Sequence, residues 1–146
     1  YNRILYTLVT LADCIFCDII NGKLPCHLIH KDDNHIVILD RYPIDVGHSL
    51  IITKKPYEKL TDMSVEEIMD LFSKIPKIIS AIIKATKADG FSIAQNNGKA
   101  AKQIIPHVHV HIIPRYNTTE TLWTQRKLMK DIELNKLVQK IRSFVV

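Results

Sequence analysis

His107-Val108-His109-Val110-His111-Ile112-Ile113 decides how the rest of this chain is read. Val and Ile fill the positions between and after the histidines. β-Branched residues favour a pleated, half-buried ribbon, so the stretch is predicted to be a strand. Side chains alternate along a strand, which puts the three imidazoles on one face, roughly 6.6–6.8 Å apart, and turns Val108, Val110 and Ile112 toward a core. A half-exposed polar strand is the plain alternative. Thr, Lys or Glu would fill such a face at lower cost, however, and three rings that each take a proton would repel one another. Adjacent imidazoles with tunable proton affinity suit nucleophilic and proton-transfer chemistry near neutral pH. Pro114-Arg115 closes the strand and sets a cation beside the row.

Outward from this strand, the pattern gives a small set of elements. Asp13 is a plausible N-cap for a short helix that runs through Ile20 and stops at Asn21-Gly22. Residues 27–31 and 35–39 read as a hairpin around the turn residues Asp32-Asp33-Asn34. Gly47-His48 leads into a further apolar strand over 49–53. Ser64-Val65-Glu66-Glu67 is a capping box that opens one long helix, in which Ile68, Leu71, Phe72, Ile75, Ile79, Ile82 and Ile83 keep a helical period and Pro76 is expected to cause a kink. Asp89-Gly90 stops it. A strand over 91–95, a loop over 96–105 and, after the histidine strand, an amphipathic helix within 125–144 complete the chain. Strands joined by short turns, with helices alongside, predict an α+β fold: an antiparallel β-sheet meander with one long helix and a short N-terminal helix packed on it.

A length of 146 residues suits one domain with one core. No apolar run approaches the ~20 residues that span a bilayer. Residues 1–12 are expected to be a leader outside the domain, too interrupted by Thr and Tyr for a signal peptide. The net charge is +5, with Lys54, Lys55, Lys59, Lys99, Lys102 and Arg115 flanking the candidate site. No aromatic side chains interleave with them, which favours a solvated basic surface, attractive to phosphorylated small molecules, over a nucleic-acid stripe. Three cysteines argue against a disulfide framework. Cys14-x-x-Cys17 suggests metal or redox use in a reducing compartment, the cytoplasm and by extension the nucleus, and Cys26 reads as a packed residue.

The His-x-His-x-His motif with two apolar residues after it is joined by Cys14-Ile15-Phe16-Cys17, by Leu39-Asp40, by Gly47-His48 ahead of an apolar strand, and by Asn96-Asn97-Gly98 with Gln103 ahead of the triad. Together these resemble the histidine triad superfamily of nucleotide hydrolases and transferases, nearest its nucleoside phosphoramidase branch. The resemblance implies a domain over 13–116, with 117–146 as a C-terminal extension whose helix packs on the domain or the dimer. It also implies a homodimer whose two sheets join across a two-fold axis.

The resemblance implies cleavage at the α-phosphate of purine nucleoside phosphoramidates through a covalent nucleotidyl-histidine. His109 is then the nucleophile, His111 the proton donor and phosphate ligand, and His107 orients its neighbours or binds metal. Asp40 would accept both ribose hydroxyls, although alone it reads equally as a turn residue. Leu24, Ile38 and Leu39 would line the base pocket, although alone they read as core. Asn96 and Gln103 would contact the phosphate-linked part of the ligand. Two departures from the family pattern stand out: Ile104 replaces the usual serine, and Lys99-Ala100-Ala101-Lys102 replaces a glycine-rich stretch, so a hydroxyl donor to the leaving group is lost. Cys14, Cys17, His48 and His107 make a Cys₂His₂ set for a structural zinc, with a packed, metal-free pair as the alternative and no organic cofactor expected. The rival functions are a dinucleoside polyphosphate hydrolase with a similar triad and a nucleotide- or zinc-binding interaction protein with little turnover. The expected partners are an AMP- or GMP-like nucleotide and a second copy of the chain, with neither nucleic acid nor membrane.

Overall fold

The computed structural model describes residues 14–119 and 126–146. Its elements, in chain order, are α1 (Ile15–Ile20), β1 (Leu28–Lys31), β2 (His35–Leu39), β3 (Ser49–Thr53), α2 (Val65–Ser73), α3 (Ile75–Thr86), β4 (Gly90–Ala94), β5 (His109–Arg115) and α4 (Asp131–Arg142). The five strands form one antiparallel sheet in the order β1-β2-β3-β5-β4, the α+β architecture expected. Among the described residues no helix is long and apolar enough to cross a membrane.

Local chemistry accounts for most of the boundaries. The β1–β2 turn is held by Asp32, whose Oδ1 accepts the N–H groups of Asn34 (2.9 Å) and His35 (2.8 Å). Ser64 and Glu67 form the reciprocal capping box of α2, each side chain accepting the other's N–H at 3.1 Å. The long kinked helix expected beyond it is instead two helices that meet at Lys74. Pro76 lies in the first turn of α3, where its missing N–H has no intrahelical partner to lose, so the chain breaks before the proline rather than bending at it. The expected cap Asp13 lies outside the described residues, and Cys14 caps α1 by accepting the Cys17 N–H on its sulfur at 3.1 Å. The triad strand also starts later than expected. Pro106 precedes His107, whose own N–H turns back to Ile105 (2.8 Å), while the Val108 N–H goes to Tyr57 (2.8 Å), and the ladder begins only at His109. The C-terminal helix is confined to Asp131–Arg142.

The two faces of the sheet are covered unequally. Val37, Leu39, Ile51, Val110 and Ile112 point to one side, where Leu71, Ile78, Ile82, Leu134, Val138 and Ile141 of α2, α3 and α4 pack on them. Each such buried side chain contributes about 1.5–3 kcal/mol of hydrophobic stabilisation. Ile36, Ile38, Leu50 and Ile52 point to the other side, where Phe16 of the short α1 covers them. The histidines of β5 alternate with Val110 and Ile112, so they share this thinly covered second face.

Gly47 sets the approach of β3 to that face. Its φ of 92° is one that side chains other than glycine adopt with strain, and a Cβ there would lie 3.0 Å from both Pro114 Cγ and Thr86 Cγ2. The turn it allows closes with the His48 N–H on the Asp45 carbonyl (3.0 Å) and brings the His48 carbonyl to the Asp40 N–H (2.8 Å). Gly47→Ala is therefore expected to cost about 1–3 kcal/mol and lower the melting midpoint by several degrees. An unchanged midpoint in a thermal melt would show that this turn relaxes freely.

Candidate active site

His107, His109 and His111 are all buried on the α1 side. The rings of His109 and His111 are 4.9 Å apart, and Phe16 meets His109 (5.0 Å) and His107 (5.7 Å) edge-on. Backbone groups decide which ring nitrogens carry protons. His109 Nδ1–H donates to the His107 carbonyl (2.7 Å), which leaves Nε2 with its lone pair. The Ile44 N–H donates to His48 Nδ1 (3.0 Å), so neutral His48 carries its proton on Nε2, which meets His111 Nδ1 at 2.9 Å. His111 accepts there and keeps its own proton on Nε2. His107 Nε2–H donates to the Thr53 carbonyl (2.6 Å).

Burial disfavours the charged form of all these rings. It pushes His109 down to about 4, with some help from His107 and the Arg126 cation, against the opposing hydrogen bond to the His107 carbonyl. His111 is pushed down to about 3, first by burial and then by His109 and Arg126. His48 falls well below the ordinary histidine value for the same leading reason. At neutral pH the row is a set of uncharged imidazoles with fixed donors and acceptors.

Beside it opens a cavity of about 540 Å³ lined mainly by apolar residues, among them Phe16, Ile19, Leu24, Ile38 and Leu50, with Leu39 contributing from β2 although its side chain packs on the helix side. Asp40 lies on the wall nearest the triad, its Oδ2 3.7 Å from His48 Nε2. The carboxylate accepts the Tyr42 N–H on Oδ1 (2.9 Å) and Arg126 Nη1 on Oδ2 (3.0 Å). Burial raises its proton affinity, and Arg126 opposes that rise. Arg126 also donates to the Tyr42 carbonyl (3.0 Å), and the chain after it runs back along the same loop, with Lys127 N–H on Pro43 O and Met129 N–H on Arg41 O, both 3.2 Å.

Other expected site residues lie elsewhere. Cys14, Cys17 and His107 come together, with His107 Nδ1 3.2 Å and 3.7 Å from the two sulfurs, which are themselves in contact as a disulfide pair. His48, expected as the fourth metal ligand, is not in this group; its Nε2 is taken by His111, so the expected Cys₂His₂ set reduces to Cys₂His. Gln103 is turned inward, accepting the Gly98 N–H (2.7 Å) and donating to the Glu58 carbonyl (2.6 Å), which pins the preceding loop. Asn96 is half-buried at the end of β4, and neither it nor Gln103 lines the cavity. Ile104 is exposed.

Three participants were not singled out from the sequence. Phe16 separates cavity from triad, and its only signal was its place between two cysteines. The Ile44 N–H is a backbone group and leaves no residue-type signal. Arg126 lies 86 residues from Asp40, in a segment the sequence pattern assigns to an amphipathic helix, although α4 begins only at Asp131.

The family model for the HIT domain matches residues 21–118. The chain belongs to the histidine triad (HIT) family. An adenylylsulfatase, HINT3, of Arabidopsis thaliana is 42% identical over 89% of this chain and 68% of its own. An adenosine 5′-monophosphoramidase, hnt1, of Schizosaccharomyces pombe is 36% identical over 71% and 75% respectively. Among solved structures, a histidine triad nucleotide-binding protein of Sulfolobus tokodaii superposes with a TM-score of 0.84 at 32% identity, covering 90% of this chain and 91% of that one. A zinc-bound histidine triad protein of Mycobacterium smegmatis superposes with 0.82 at 32%, covering 91% and 93%. Cys14, Cys17 and Arg126 lie outside the residues matched by the family model.

The depressed histidines of this HIT domain have a consequence for stability. Between pH 6.5 and about 4 the unfolded chain takes up protons on these rings that the folded chain refuses, so stability rises with pH across that window and levels off above it. Urea midpoints are expected to fall steadily as pH drops from 6.5 toward 4, and His111→Gln to flatten that fall. An equal slope in the variant would exclude His111 as a source.

Proposed function

We propose that this chain is a nucleotide hydrolase that cleaves at the α-phosphorus of adenosine 5′-phosphoramidate-type conjugates through a covalent nucleotidyl-His109. The observation that carries this reading is the tautomer of His109: its Nδ1–H is spent on the His107 carbonyl, so the Nε2 lone pair is available to attack. In the first step the Nε2–P bond forms and the bond from phosphorus to the leaving group breaks. His111 Nε2–H, set by its acceptance from His48, hydrogen-bonds the α-phosphate and the departing nitrogen, which takes its proton from water as the amine leaves. In the second step water attacks the same phosphorus, its proton returns to solvent, and the phosphorus–His109 bond breaks to release AMP. Asp40 accepts the ribose hydroxyls, and Phe16, Leu24, Ile38 and Leu39 hold the base. Gln103 acts indirectly by fixing the loop that leads to the triad, and Asn96 contacts the phosphate-linked part of the substrate.

An adenylyl sulfate is the second substrate under this mechanism. The adenylylsulfatase relative favours it, as does the exposed Ile104 where a hydroxyl donor to an amine would be useful. A homodimer joined through the edge strand β4 is supported by Phe91 and Ile93, exposed apolar side chains on one face of that strand. Turnover of AMP-morpholidate and of adenosine 5′-phosphosulfate by the purified chain tests the reading directly. His109→Ala should lower either rate by roughly 10³-fold or more and abolish the adduct seen by mass spectrometry after acid quench. Near-normal turnover in that variant removes His109 as nucleophile.

Zinc fits the Cys14, Cys17 and His107 group, provided that the two cysteines are reduced. Thiolates and a neutral imidazole are zinc's preferred donors, and the Thr53 carbonyl fixes the His107 tautomer whose Nδ1 lone pair faces the sulfurs. A zinc there would tie α1 to the strand that carries the triad. Protein purified under reducing conditions is expected to hold close to one zinc per chain, and chelation or Cys14→Ser to lower its melting midpoint. Metal content far below that, with a midpoint indifferent to chelator, excludes the site.

A further inference from the structure

Helix α4 brings polar side chains to an otherwise mainly apolar cavity. Leu134, Val138 and Ile141 bury its inner face, while Asp131 and Asn135, one turn apart, stand on the edge that lines the cavity. The Asp131 side chain is 61% exposed, so the pair lies at a rim open to solvent. The His27 ring bridges the two. Its Nδ1–H donates to Asn135 Oδ1 (3.0 Å), and its Nε2 lies 3.4 Å from Asp131 Oδ1. Arg41 Nη2 lies 3.5 Å from that same carboxylate oxygen. Among the described residues these side-chain contacts fall on one oxygen of each residue, and Asn135 Nδ2–H₂ and Asp131 Oδ2 are left to meet a ligand. The rim thus offers one donor and one anionic acceptor, both oriented by a ring that is itself only 16% exposed.

We propose that Asp131 and Asn135 are specificity-determining residues that read the polar edge of adenine: Asp131 accepts from the 6-amino group, and Asn135 donates to the neighbouring N1 lone pair. The proposal rests on the reading of this cavity as the base site of an adenosine nucleotide, and adds what selects the base there. The walls do not select it, since Phe16, Leu24, Ile38 and Leu50 offer apolar contact only and adenine and hypoxanthine have the same shape. The two bases differ at adjacent atoms. Adenine has an amino group at position 6 and a lone pair at N1, whereas hypoxanthine has an oxygen at position 6 and an N–H at N1. A carboxylate only accepts, so the 6-amino group, the one hydrogen-bond donor on the adenine of a nucleotide, is the partner Asp131 can take. Hypoxanthine in the same seat sets its oxygen against the carboxylate and its N–H against an amide donor, so both contacts turn repulsive. His27 and Arg41 act as positioning residues for the pair.

Calorimetric titration of the full chain with AMP, inosine 5′-monophosphate (IMP) and purine riboside 5′-monophosphate, which lacks the 6-amino group, tests this in wild type, Asp131→Asn and Asn135→Asp. Both residues are exposed, so neither substitution removes a core contact. Wild type is expected to bind AMP about tenfold tighter than IMP, with purine riboside 5′-monophosphate between them. Asp131→Asn, whose amide can turn an N–H toward the oxygen at position 6, is expected to bring AMP and IMP close to parity by tightening IMP. Asn135→Asp is expected to narrow the ratio by the other route, weakening AMP, whose N1 lone pair then meets a carboxylate. A merely structural role would weaken all three nucleotides alike. Wild type that binds AMP no tighter than IMP, or an AMP-to-IMP ratio that either variant leaves unchanged, overturns base selection by α4 and leaves the nucleotide site standing. Wild type that binds none of the three overturns the nucleotide site itself, and base selection with it.

Discussion

Backbone carbonyls and one backbone N–H, rather than charged side chains, fix the protonation pattern on which this site depends. The His107 carbonyl claims His109 Nδ1–H, the Thr53 carbonyl claims His107 Nε2–H, and the Ile44 N–H claims the lone pair of His48 Nδ1. Each is a main-chain group of a strand or of the chain beside it and cannot itself change protonation. The tautomers therefore follow from the fold, and His111 inherits its own from His48. A neutral imidazole with one nitrogen tied is a nucleophile at the other. An arrangement of carboxylates around the same rings would have raised their proton affinity and removed that lone pair at neutral pH.

The same pattern separates two side-chain clusters that look alike as metal sites. Cys14, Cys17 and His107 present lone pairs inward, whereas Asp40, His48 and His111 only superficially do. For His48 Nε2 to ligate a metal, its proton would have to move to Nδ1, which faces the Ile44 N–H at 3.0 Å, donor against donor. The His48–His111 hydrogen bond would be lost as well. The second cluster is thus a proton-positioning chain, and the contrast explains why a search for four ligands in the sequence drew His48 to the wrong side. Counting His and Cys residues registers donor types but not the direction in which each ring is already spent.

The features legible in the sequence are those with a short period or a local partner. Alternation of His with Val and Ile put the triad on one face of a strand, the Asp32 turn gave the first hairpin, and Ser64 with Glu67 marked a helix start. The errors arise where a distant partner decides. Lys74 divides two helices although the apolar period runs through it, because the hydrophobic spacing on either side faces the same sheet and does not register a break. His107 leaves the strand because Tyr57 takes the Val108 N–H, a contact 51 residues away. Arg126 had no signature of its own, since an arginine at the start of a segment read as an amphipathic helix looks the same whether it is solvated or buried against a carboxylate.

Burial is the main cause that keeps His48, His109 and His111 uncharged, and the Arg126 cation adds to it, with Arg115 contributing at His48. A cation that helps to keep an imidazole neutral also attracts a phosphate anion, so the two requirements of an attacking histidine, an unprotonated ring and a nearby negatively charged substrate, are served together instead of competing. Among the described residues Asp40 is the one buried carboxylate, and its influence would run the other way, toward protonated rings and repelled phosphate. Its pairing with Arg126 at 3.0 Å cancels much of that field while leaving the carboxylate in the cavity wall. The C-terminal segment therefore does more than cover the sheet: by delivering one guanidinium to Asp40 it lets an acidic group sit 3.7 Å from His48 without charging the histidines.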